Sequence, residues 1–223
     1  MKSAHYSNYS NNIIYQIFLT LYEFYGRQHW WPAETKLEVI IGAILTQNTS
    51  WQNVEKAILN LKKRRLIDIN KLSTIRDSDL AALIRPSGFF NIKTKRLKAI
   101  INFLKDNYAG KLSIIKRESL KILRPKLLNV YGIGKETADS ILLYGFDKPI
   151  FVVDKYTKRV LIRHKLITDN ADYDTIQQFF MLNLPQNHQR IKIYKEYHAL
   201  LVRLSKDFCR TKPLCESCPI KHL

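Results

Sequence analysis

The 223-residue chain is poor in cysteine, in glycine and in acid. Its three cysteines, Cys209, Cys215 and Cys218, lie close together at the C-terminal end. That distribution argues against a disulfide scaffold and for a reduced, intracellular setting, hence a cytoplasmic protein (nucleoid-associated if bacterial). No run of eighteen uninterrupted apolar residues occurs, so no membrane span is expected, and the N-terminal stretch MKSAHYSNYSNN lacks the apolar core of a signal peptide. Nineteen acids stand against 37 Lys and Arg, a formal charge of +18. So large a surplus calls for a polyanionic partner, with nucleic acid the leading candidate and an anionic membrane surface second. Sustained apolar/polar alternation is missing, as are internal repeats and low-complexity tracts, which leaves no basis for a sheet. With 46% hydrophobic residues, the chain can bury one sizeable core or two small ones.

What is present is helical periodicity. Ile14, Ile17, Phe18, Leu21 and Phe24 recur at three and four, predicting a helix that ends near Gly26, after a polar and frayed stretch over residues 1–12. His29, Trp30, Trp31 and Pro32 form a loop whose tryptophans either pin it to a core or offer a stacking wall. Residues 37–45 read as a helix, and a polar break follows over 46–51, with Ser50 as N-cap of a helix over 54–61. Spacing alone gives Gln47 and Asn48 ordinary turn chemistry. The basic cluster at 62–65 reads as a solvated face. One short helix is expected over 73–83, ended by Arg85 and Pro86, and another from about Ser87 to Asn107. Further helices are expected over 120–130 with Pro125 in the early turns, then 135–144, 154–165, 173–184 and 189–208. The fold class is therefore all-α.

Two stretches carry the chemistry. Gly132 and Gly134 sit two apart between apolar helical runs, can take φ > 0, and precede a helix starting near Lys135 whose N–H groups attract anions. Pro149 to Val153 form an apolar run that ends in one acid, Asp154, before a basic helix; an N-cap is its ordinary role. Together they resemble the helix-hairpin-helix, Gly/Pro-rich loop and aspartate of the endonuclease III superfamily of DNA glycosylases. Trp30-Trp31-Pro32 and the segment from Leu45 through Thr46, Gln47 and Asn48 to Thr49 are similar to its 3-methyladenine glycosylase branch. The resemblance covers nearly the whole chain from Ile13. It implies two helical domains, a bundle with the hairpin over 35–148 and a second over 1–34 plus 149–223, with the active site in the cleft between. It also implies a monomer acting on double-stranded DNA that contains a damaged base, with no membrane partner.

The resemblance assigns roles residue by residue. Gly132, Ile133, Gly134, Lys135 and Thr137 would hold the DNA backbone, and Asn48, with Gln47 beside it, would enter the space left by an extruded base. Asp154 would be catalytic, while Trp30, Trp31, Trp51 and Glu136 would line the base pocket. The run Gly88-Phe89-Phe90 followed by Lys93 matches a second family element, whose lysines and Arg96 could meet phosphates. Bifunctional members carry a lysine immediately before the Thr-Ala of the hairpin; here that position is Glu136. This departure implies a base-excision-repair DNA N-glycosylase that uses water, without efficient lyase activity, and the aromatic residues favour a cationic alkylated base. The alternatives are a bifunctional glycosylase/AP lyase for oxidised pyrimidines, or a non-catalytic hairpin DNA-binding protein. The tail resembles the family's four-cysteine [4Fe–4S] loop. Its spacing, C-x5-C-x2-C, would place the fourth cysteine at position 224, one beyond Leu223. A chain cut short of its fourth cysteine, a cluster completed by His222 or an outside ligand, zinc on three cysteines and His222, or a lost cluster all stay open.

Overall fold

The computed structural model describes residues 12–223. The expected fraying of the N-terminal stretch therefore lies, except for Asn12, outside the described residues. Among the described residues every regular element is helical, in the order α1 Ile13–Tyr25, α2 Lys36–Leu45, α3 Trp51–Lys63, α4 Ile69–Thr74, α5 Asp77–Ile84, α6 Phe90–Tyr108, α7 Leu112–Arg117, α8 Leu120–Leu128, α9 Lys135–Ser140, α10 Lys155–Arg163, α11 Tyr173–Asn183 and α12 Arg190–Asp207. Among the described residues no helix is long and apolar enough to cross a membrane. The chain divides into two compact units, one of residues up to Trp30 with Pro149–Leu223, the other Trp31–Lys148.

The Trp31–Lys148 unit is built on α2, which is buried from Leu37 to Leu45. Thr35 caps it by accepting from the Glu38 N–H at 3.1 Å. Glu38, only 2% exposed, is paired with Lys62 at 2.5 Å, and Glu34 meets the same ammonium at 2.8 Å. The basic cluster at 62–65 is thus not wholly a solvated face, since its first member neutralises a buried acid. The single helix expected over 73–83 is two, because Ile75 and Arg76 take extended ψ values of 140° and 142°. Ser50 stands at the N-cap of α3 without a side-chain capping bond, and Trp51 belongs to the helix rather than to the polar break. After α9 the helix widens into a π turn over Ile141–Gly145.

In the other unit, α1 and α12 pack together, as do α10 and α12. Phe151 stacks on Phe180 with centroids 4.0 Å apart and meets Tyr194 and Tyr197 edge-on. Residues 150–153 are thereby buried completely or nearly so. Phe24, expected in the core stripe of α1, is instead 55% exposed and touches Phe208 edge-on. It lies in the last turn of α1, next to the helix end at Tyr25.

Candidate active site and nucleic-acid interface

The hairpin turn between α8 and α9 uses its two glycines differently. Gly132 takes φ +79°, and a Cβ there would stand 2.6 Å from Arg96 Cδ. Gly134 does not need positive φ: it is extended at φ −90°, ψ 178°, and caps α9. A Cβ at Gly134 would meet nothing within 4 Å, so the turn is open to approach from outside on that side. Ile133 faces inward, and its N–H closes the turn on Val130 O at 3.1 Å. Thr137 is also buried. Two of the expected backbone-holding residues thus serve the turn itself, while Gly134 and Lys135 are exposed at the start of α9. The two hairpin helices are fastened by Arg124, whose Nε and Nη2 donate to the fully buried Asp139 at 2.8 and 3.1 Å.

The turn after α2 separates its two candidate residues. Gln47 Nε2 donates to Gly132 O at 3.1 Å and to Thr137 Oγ1 at 2.9 Å, and its Oε1 accepts from Arg96 Nη1 at 2.6 Å. Gln47 is therefore held against the hairpin. Asn48 is exposed, with φ +54°, a conformation asparagine tolerates better than most residues. Of the two, Asn48 is the presented side chain.

Lys93 departs from expectation. It is 1% exposed, and its Nζ donates to Leu45 O at 2.8 Å and Ser87 O at 2.6 Å. Burial, with Arg96 adding to it, pushes its ammonium down to about 8. Lys93 thus cannot meet a phosphate. Close by in sequence, Phe89, to which the family element gave no role, is 68% exposed at φ +47°, a strained setting for an aromatic residue.

Trp31 meets Trp51 edge-on with centroids 5.1 Å apart and Tyr144 at 5.3 Å. Gly42 makes room for it, since a Cβ there would come within 3.0 Å of the indole Nε1. Tyr144, supplied by the π turn, is a further residue missed in the sequence; π turns recur at functional sites. Trp51 Nε1 donates to Glu55 at 2.8 Å, Trp30 is half-buried, and Glu136 is exposed in the first turn of α9.

Asp154 caps α10, its Oδ1 accepting from Thr157 N–H at 2.7 Å. Its Oδ2 lies 3.6 Å from His198 Nε2, and the carboxylate is only 10% exposed. Burial pushes its carboxyl up, but His198 and the Thr157 N–H outweigh that and hold it below the ordinary carboxylate range. The loop before it is fixed by Gln177 Nε2 donating to Phe151 O at 2.6 Å. Arg159 Nη2 joins α10 to Ser205 O at 3.2 Å.

The cysteine tail does not form a ligand set. Cys209 is buried and its Sγ accepts from Arg163 Nη1 at 3.4 Å, while Cys215 is exposed. Arg163 also holds the carbonyls of Arg210 and Thr211, at 2.6 and 3.1 Å. Among the described residues no group of three or more His, Cys, Asp or Glu side chains is placed to hold a metal ion.

Residues 41–186 match the family model described as HhH-GPD superfamily base excision DNA repair protein. A protein of Methanocaldococcus jannaschii that carries the name DNA repair glycosylase is 51% identical over 211 residues, covering 94% of each chain. Endonuclease III of Thermotoga maritima is 28% identical over 82% of this chain and 80% of its own. The crystal structure of H. pylori 3-methyladenine DNA glycosylase bound to 1,N6-ethenoadenine matches with a TM-score of 0.76 and 32% identity, covering 86% of this chain and 97% of that one. A non-covalent endonuclease III–DNA complex shares the fold, with a TM-score of 0.76 at 19% identity. With the hairpin, the capped aspartate and the all-helical architecture in agreement, the chain belongs to the HhH-GPD superfamily of base excision repair DNA glycosylases.

Proposed function

We propose that this chain is a monofunctional DNA glycosylase that removes an alkylated, 3-methyladenine-like base from duplex DNA. The reading is carried by an anionic, helix-capping Asp154 in one unit, together with the presence in the sequence of a glutamate, Glu136, where a Schiff-base lysine would stand. The open edge of the hairpin at Gly134 and the first N–H groups of α9 receive a backbone phosphate, positioning the strand without reading sequence. The target nucleotide leaves the stack at a cost of about a few kcal/mol. Asn48 enters the gap, and Phe89 offers a second side chain to stack on a base. As the N-glycosidic bond breaks, positive charge grows on the sugar. Asp154 stabilises it and orients or deprotonates the attacking water. Glu136 cannot form an imine, and Lys135 projects about 100° away around the helix.

An alkylated purine is cationic, so the faces of Trp31 and Trp51, with Tyr144 beside Trp31, attract it more than a neutral base. Such a base also leaves readily and needs little acid catalysis. The 32% identity to the H. pylori enzyme supports the same choice. The test is base release and strand nicking on matched duplexes carrying 3-methyladenine or an oxidised pyrimidine, with and without borohydride. Free 3-methyladenine, unbroken abasic strands and no trapped adduct are expected. A trapped adduct with nicked oxidised-pyrimidine DNA would replace this reading by the bifunctional one.

A further inference from the structure

We infer that Arg96, a basic residue of α6, is a positioning residue that fixes the distance between the Asn48 turn and the hairpin turn, as Lys93 of the same helix fixes the Asn48 turn against the Phe89 turn, and that neither contacts DNA. Lys93 Nζ bridges Leu45 O, the last residue of α2 before the Asn48 turn, and Ser87 O, two residues before Phe89. One buried ammonium thus joins the two turns whose exposed tips, Asn48 and Phe89, both have positive φ. Three residues further along the same helix, Arg96 makes the second connection. Its guanidinium donates to Gln47 Oε1, and its aliphatic stem fills the space over Gly132 that a Cβ would occupy. Gln47 completes the circuit by donating to Gly132 O and Thr137 Oγ1.

The tip that enters the duplex and the turn that grips a phosphate must act at one fixed spacing. In this unit that spacing is set by hydrogen bonds rather than by a continuous backbone element. A shift of about 1 Å in such a constellation costs up to about 10²-fold in rate. Residues that a basic, exposed helix face would lead one to count as phosphate ligands are here internal braces. The positive surplus that meets DNA must then come from other residues.

The inference rests on the reading of Asn48 as the side chain that fills the gap left by the flipped base, and the experiment separates the two. Single-turnover release of 3-methyladenine would be measured for the parent, Arg96→Met, Gln47→Met and the double variant. Each would be given a paired duplex and a single strand, where no base pair need be opened. Thermal unfolding would confirm that each variant is folded, and Gln47→Met carries the test should Arg96→Met not fold. The expected result is a loss of about 10- to 100-fold on duplex for each single variant, and less than about threefold on single strand. The double variant should lose no more than the worse single one, because both act through one circuit. The salt dependence of duplex binding should keep the parent's slope. Equal losses on both substrates, additive losses, or a slope reduced by about one phosphate contact in Arg96→Met would overturn the inference. A parent that releases base from neither substrate would instead overturn the proposed function.

Discussion

Asp139, buried, and Asp154, slightly exposed, are both acids next to motif residues, and the structure treats them in opposite ways. Asp139 is fully buried and has both carboxylate oxygens met by the fork of Arg124, so its charge is neutralised within the hairpin. Asp154 gives one oxygen to the start of α10 and leans the other toward an imidazole 3.6 Å away. A carboxylate enclosed by a guanidinium is a strut. A carboxylate kept anionic by a helix N-terminus, with slight exposure remaining, still has charge to offer a cation that develops beside it.

The largest expected difference between the two acids is in stability. Asp139→Ala removes the buried carboxylate from the Arg124 bridge and should cost about 3–5 kcal/mol, toward the lower figure because Arg124 is 22% exposed. Urea unfolding would measure it, and base release per folded molecule should stay at the parent's level. Next comes the buried cation. Lys93 falls from 10.5 to about 8 on folding, so below pH 8 both states hold the proton. Between pH 8 and 10.5 the unfolded chain binds it and the folded chain does not, so stability from this group rises with pH, by about 3 kcal/mol over the window. The parent's unfolding free energy should therefore climb more steeply than that of Lys93→Met from pH 8 to 10, as chemical denaturation would show. Gly132→Ala, which forces a Cβ into the left-handed region and against Arg96, should cost about 1–2 kcal/mol in the same assay. Gly134→Ala should leave stability within about 0.5 kcal/mol of the parent.

The smallest effect sharpens the Asp154 side of the comparison. His198→Gln removes a group that holds the Asp154 carboxyl low, and burial then pulls it upward. The acid limb of the base-release profile should move to higher pH in that variant. A limb that stays in place would show that Thr157 and the helix N-terminus hold the carboxylate without His198.

Most of the helical architecture was legible because 3.6-residue periodicity survives in nearly every segment, and the Asp154 cap was legible because an acid follows an apolar run. The break at Ile75 and Arg76 was not, since neither residue is a strong turn former and tertiary packing decides it. The π turn that places Tyr144 leaves no mark in the periodicity either. Lys93 could have been found. It lies in phase with Leu97, Ile100, Ile101 and Leu104, so its position on α6 was in the buried stripe and only its charge suggested the surface. Spacing alone gives Gln47 and Asn48 the same turn chemistry, and only the family resemblance puts Asn48 forward with Gln47 beside it, because which side chain is presented depends on the hydrogen bonds by which the hairpin captures Gln47 through Gly132 O and Thr137.

The most direct measurement is single-turnover base release by Asp154→Asn on a duplex carrying 3-methyladenine, with binding to the same duplex measured alongside. Asparagine caps a helix nearly as well as aspartate, so the fold and the binding should persist. Release should fall by at least about 10²–10³-fold, the usual loss when one charge-stabilising group is removed. Release at the parent's rate by a folded, DNA-bound Asp154→Asn would contradict the assignment of the chemistry to Asp154.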